Sequence, residues 1–93
     1  MKVWIKIIKG EKITKDFTYT PEKYNDNELH HYLEIVCNEL DEPTPIVLRK
    51  HLAHIKEFGN TAFKELDFVE TIHFDKMVVE IFDDKPKKDT PKA

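Results

Sequence analysis

Over residues 12–20 side chains alternate with a period of two, the repeat of β-strands, and the stretch before them is apolar on both sides of that period. Residues 2–9 (KVWIKIIK) are rich in β-branched side chains and predict a strand. In the stretch that follows, Ile13, Lys15, Phe17 and Tyr19 alternate with Thr14, Asp16, Thr18 and Thr20, the pattern of a half-buried strand. Gly10-Glu11 between them predicts a two-residue type II′ turn, which takes Gly at its first central position. That turn pairs Lys9 with Lys12, Ile8 with Ile13 and Trp4 with Phe17. Trp4, Ile8, Ile13, Phe17 and Tyr19 then share one face. Val3, Ile5 and Ile7 take the other, opposite Thr14, Asp16 and Thr18. The first strand is thus apolar on both faces, as a central strand should be. One more residue in the loop would shift the register and gather both stripes on one face.

Pro21 ends the hairpin, and the period then changes to that of helices. Asn25 or Asp26 can cap a helix with Glu28 in its first turn. Leu29, Leu33, Val36, Cys37 and Leu40 form its apolar stripe. Asp41-Glu42-Pro43 stops it, and Pro45 delays a restart. A second helix begins near Leu48, carries the stripe Leu48, Leu52, Ile55 and Phe58, and ends at Gly59 as its C′ residue. Residues 60–75 follow neither period. Their apolar side chains (Phe63, Leu66, Phe68, Val69, Ile72, Phe74) predict an irregular segment pinned to the core. Residues 76–82 (KMVVEIF) predict a last strand beside the free edge of the first, its direction open. From Asp83 on there is no large apolar side chain, which predicts a disordered charged tail over 83–93. The expected fold is α+β: a β-β-α-α-β two-layer domain over residues 1–82, with a three-stranded sheet of order 2-1-3 packed against two helices.

Composition narrows the function classes. The 93 residues make one domain with one small core. Fifteen Lys and Arg against 18 Asp and Glu leave a net charge of −3, which argues against nucleic acid as the main partner. Lys2, Lys6 and Lys15 nonetheless share the Trp4 face, with Lys9 and Lys12 near the turn, the mixture of cations and aromatics that single-strand binders use. Lys6 and Lys9 break the apolar run of the N-terminal stretch, so it reads as neither a signal peptide nor a membrane span. A single cysteine, Cys37, suits a reducing compartment and a cytoplasmic protein.

Candidate chemistry centres on His51-x-x-His54 in the second helix. On a helical wheel His51 falls inside the apolar stripe and His54 on its rim, about 60° apart. A zinc site needs three or four ligands. The sequence lacks the Glu of a His-Glu-x-x-His motif, the adjacent His30 and His31 diverge on a helix, and His73 lies in the irregular segment. No metal and no cofactor is expected. His51 reads first as a packing residue whose ring fills the gap between Ile55 and Phe58, with His54 solvated. Cys37 lies in a core stripe, where a thiol stays inert. Thr61 reads as a turn residue. The chain has no serine, no glycine-rich phosphate loop and no Cys-x-x-Cys. An enzymatic or ligand-binding alternative would use His51 with Lys50, Asp67 or Asp75.

Several stretches taken together resemble a known group: the opening KVWIKIIK, Lys15-Asp16, PIVLRKH at 45–51, Phe58, NTAF at 60–63, Asp67-Phe68 and Phe74-Asp75. They are similar to a group of small uncharacterised proteins of Firmicutes, clostridial in type. The resemblance implies a compact bacterial domain and assigns no activity. The leading expectation is therefore a small cytoplasmic protein-interaction or regulatory module without catalytic activity. Its partner is another protein or a second copy, not a membrane. Its expected contact surface is Trp4, Ile8, Ile13, Phe17 and Tyr19, with Ile35 on the outer side of the first helix, unless Phe63, Phe68 and Phe74 plug that face.

Overall fold

The structure, a computed structural model, describes residues 1–82. The elements are β1 (Lys2–Lys9), β2 (Lys12–Tyr19), α1 (Leu29–Leu40), α2 (Arg49–Phe58), β3 (Asn60–Phe63) and β4 (Lys76–Phe82). The fold is α+β with two helices, as the pattern predicts, and the last strand takes the free edge of β1, antiparallel to it. The sheet has four strands, not three, in the order β2-β1-β4-β3. The addition is β3, at the start of the stretch expected to be irregular. Four residues are too few to establish a period, but Thr61 and Phe63 are buried there while Asn60 is exposed. The expected tail, 83–93, lies outside the described residues.

Gly10 and Glu11 both have positive φ, 57° and 71°, so the hairpin turn is type I′ and not the expected II′. The pairs Lys9–Lys12 and Ile8–Ile13 form as expected. Beyond them Thr14 is an extra residue, a β-bulge, and the register becomes Ile7–Lys15, Ile5–Phe17, Trp4–Thr18 and Val3–Tyr19. The expected Trp4–Phe17 pair is thereby corrected, and Phe17 and Tyr19 change faces to join Val3 and Ile5. The gathering that one more loop residue would have produced comes instead from one more strand residue. The physical gain is clear: Phe17 and Tyr19 are only partly exposed, packed against the core beneath α1 rather than left on the far side.

Both helices cover the same face. Val3, Ile5, Ile7, Met77, Val79 and Phe63 from the sheet meet Leu29, Tyr32, Leu33, Val36 and Cys37 from α1 and Ile55 from α2. Each such side chain contributes roughly 1.5–3 kcal/mol by leaving water. The α1 stripe is as predicted. The α2 stripe is narrower: Leu48 is the exposed N-cap residue and Phe58 is 66% exposed, so Ile55, His51 and the half-buried Leu52 carry the contact. Phe68 and Phe74 pack edge to face, 5.6 Å between centroids, and with Phe63 they join the helix-side core rather than plugging the Trp4 face. Leu66 and Val69 of the same segment are 97% and 85% exposed.

Candidate functional site

Two places carry the predicted residues: the first turn of α2 and the uncovered sheet face. His51 is 1% exposed, and its ring stacks on Phe63 with centroids 4.2 Å apart. Its packing role agrees with the sequence reading, though the ring meets Phe63 across the layer rather than filling the gap between Ile55 and Phe58. Nδ1 accepts from the Leu48 N–H at 2.9 Å, so the imidazole caps its own helix, where Leu48 offers no side-chain acceptor. With Nδ1 used as an acceptor, the proton of the neutral ring sits on Nε2. Nε2 faces Asp67 Oδ2 at 3.6 Å, beyond hydrogen-bond length. Asp67 is buried too; the same oxygen accepts from the Lys64 N–H at 2.9 Å, and its carbonyl accepts from the Ile46 N–H at 2.8 Å. The pair fastens the segment before α2 to the turn after β3.

Of the four catalytic candidates, His51 and Asp67 are therefore brought together, and Lys50 lies at the edge of their site. Asp75 is elsewhere: its carboxylate accepts from the Gly10 N–H at 2.7 Å and braces the hairpin turn. Burial pushes the His51 pKa below its ordinary value, opposed by the Asp67 charge, so the ring is neutral near pH 7. Its one lone pair is engaged by Leu48 and its one N–H points at a carboxylate. In this arrangement it has nothing with which to take a proton or bind a metal.

Beside the pair runs an open groove of about 390 Å³ between α2 and β3, lined by Lys50, His54 and Phe58 on the helix and by Asn60, Thr61 and Ala62 on the strand, with Lys64 at one end. His54 is exposed, as expected, but its Nδ1 lies 3.1 Å from Thr61 Oγ1 and ties helix to strand. Thr61 is accordingly a buried strand residue, not a turn residue. Asn-Thr-Ala-Phe carries no polar–apolar alternation, so the strand shows only in the alternating burial of residues 60–63.

The sheet face opposite the helices carries Trp4, Ile8 and Ile13 from the expected surface, together with Val78 and Glu80, which pair with Lys6 and Trp4 in β4. Trp4 is held on three sides. Its Nε1 donates to Asp16 Oδ2 at 2.9 Å, the Lys6 ammonium lies 4.1 Å from the ring centroid, and Phe82 meets it edge-on at 6.5 Å. Ile13 is 51% exposed. Phe17 and Tyr19 do not belong to this surface. Ile35, half-buried, lines an acidic hollow at the end of α1 with Glu34, Glu39 and Glu42, away from Trp4. The basic set proposed for nucleic acid is dispersed: Lys6 pairs with Glu80 at 3.0 Å, Lys15 crosses to the helix side to pair with Glu42 at 2.8 Å, and Lys9 donates to the His73 carbonyl at 3.2 Å.

Cys37 lies 3.9 Å from the Met77 sulfur, and burial pushes its thiol up to about 11. Among the described residues no three His, Cys, Asp or Glu side chains are placed to hold a metal ion, and no helix is long and apolar enough to cross a membrane. Compared with family models, curated proteins and solved structures, the chain matches none of them.

Proposed function

We propose that the protein is a binding module for other proteins, without catalytic activity, and that its contact surface is the sheet face centred on Trp4. The observation that carries this reading is the preorganised tryptophan on a sheet face that neither helix covers. Both helices lie against Val3, Ile5 and Ile7, which leaves Trp4, Ile8, Ile13 and Val78 on the other side. An aromatic ring already fixed by Asp16, Lys6 and Phe82 loses little further freedom on binding, which is the property of an interface anchor. The engaged Nδ1 of His51 and the burial of its ring weigh against the enzymatic alternative. The lone, buried Cys37 and the resemblance to small Firmicutes proteins support a bacterial cytoplasmic setting.

The test uses the single tryptophan. Sedimentation velocity over a concentration series, read beside Trp4 emission, should show association with a blue shift, either alone or on adding an extract of the native cell. Ile13→Asp should abolish it while keeping the melting temperature. A monomer at every concentration, together with identical proteins recovered from extract by wild type and Ile13→Asp, would overturn the reading.

A further inference from the structure

β3 is an edge strand, and the groove between it and α2 is open. The Ile81 N–H donates to the Gly59 carbonyl at 2.7 Å, which sets the alternation of the antiparallel ladder. Thr61 and Phe63 turn their backbone groups toward β4, and Asn60 and Ala62 turn theirs outward. Ala62 stands in the middle of this edge, and among the described residues no group is bonded to its N–H or carbonyl. The next outward position, Lys64, is closed because its N–H is taken by Asp67. The free edge is thus one short stretch that faces the groove. Edges of this kind are usually hidden, bulged or charged, and β2 at the opposite side has its bulge at Thr14 and lysines at 12 and 15. β3 carries no such protection within its four residues.

We propose that this edge receives an extended, acidic segment of another protein, added as a fifth strand beside β3. The backbone groups of Asn60 and Ala62 would supply the ladder, and the wall of α2 would read one set of alternating side chains. Charge selects the occupant. Lys50 and Lys64 flank the groove, both exposed, and among the described residues neither has a carboxylate at ion-pair distance. The carboxylate in the groove, Asp67, is buried and turned to His51 and the Lys64 N–H. The chain's own residues 83–93 (DDKPKKDTPKA) fit poorly by sequence: four lysines oppose Lys50 and Lys64, and two prolines lack the N–H a ladder needs. This site is a strand edge and is separate from the Trp4 face, so either can fail without the other.

The experiment titrates the full chain, with backbone amides followed by NMR, against a capped peptide of alternating Val and Glu and its Val and Lys counterpart. The acidic peptide should shift the Asn60 and Ala62 amides and protect them from exchange. Ala62→Pro keeps the fold, because the lost N–H points outward at an edge, and should weaken binding by at least about fivefold, the worth of about one hydrogen bond. Lys50→Glu with Lys64→Glu should reverse the preference between the peptides, and Ile13→Asp should leave binding unchanged. Four results would overturn the proposal: no shifts at about 1 mM peptide, weaker than any useful strand addition; equal binding of the lysine peptide; shifts confined to Trp4 and Ile13; or a peptide-free dimer broken by Ala62→Pro, which would make a second copy the occupant.

Discussion

At the residue scale, two positions hold unusual chemistry. Glu11 has φ 71° in the hairpin turn, a conformation that costs a residue with a Cβ about 1–2 kcal/mol. Glu11→Gly should raise stability by about 0.5–1 kcal/mol after the extra chain entropy of glycine is subtracted, measurable by urea denaturation. Gly10 beside it has φ 57°, so Gly10→Ala should lower stability by a similar amount. His51 combines ring packing on Phe63 with the cap of α2. His51→Ala should cost about 2–4 kcal/mol, whereas exposed His54→Ala should cost under 1 kcal/mol. The pH dependence follows from the direction of the His51 shift. Burial lowers the folded-state pKa, so between that value and the ordinary 6.5 the unfolded chain holds the extra proton. Stability is therefore fully present above pH 6.5 and falls as the pH drops below it. His51→Asn removes the titrating ring and should flatten the wild-type slope over that window; an equal slope in both proteins would show that other groups carry it.

At the scale of elements, the β-bulge at Thr14 decides which side chains β2 gives to the core. Thr14 Oγ1 donates to the Ile7 carbonyl at 3.3 Å, which fixes the bulged residue. Deleting Thr14 would close the bulge and leave the pairs Ile8–Ile13, Ile7–Lys15, Ile5–Phe17 and Val3–Tyr19 as they are, so Phe17 and Tyr19 should stay beneath α1. The expected outcome is cooperative thermal unfolding with the near-ultraviolet dichroism of the Tyr19–Tyr32 pair retained; loss of both would show that the bulge itself is required. Gly59 ends α2 with φ 76°, and its N–H caps the Ile55 carbonyl at 2.9 Å. A Cβ there has room, 3.5 Å from the Ile81 carbonyl, so the cost of Gly59→Ala is backbone strain alone, about 1 kcal/mol.

At the scale of the whole molecule, one layer of helix over a four-stranded sheet leaves one face and one edge open. The face presents Trp4, Ile8, Ile13 and Val78 among paired charges, and the edge is flanked by Lys50 and Lys64, unpaired among the described residues, so the two would take partners of different chemistry. Exposed Leu66 and Val69 flank buried Asp67 and Phe68 in the segment after β3. Added salt offers a simple separation. Binding at the edge should weaken with ionic strength, since Lys50 and Lys64 are solvent-exposed, whereas association through the Trp4 face should hold or strengthen. An isothermal titration at two salt concentrations checks both.

The sequence by itself determined the elements that carry a local signature. The β-branched run in 2–9, the alternation in 12–19, the helical stripe from Leu29 to Leu40, the stop at Gly59 and the apolar run at 76–82 are all signalled by residues close together in sequence. It also singled out His51 correctly, because its place on the wheel was that of a core residue. Tertiary structure decided the rest. The bulge at Thr14 has no local signature, since only the demand for cover over α1's partner face makes one extra residue favourable. β3 is stabilised by pairing with β4 and by Thr61 reaching His54, contacts between residues distant along the chain or across a turn. Asp67 became the partner of His51 for the same reason: 16 positions separate them in sequence (67 − 51), and only the closing of β3 onto the sheet edge brings them within 3.6 Å.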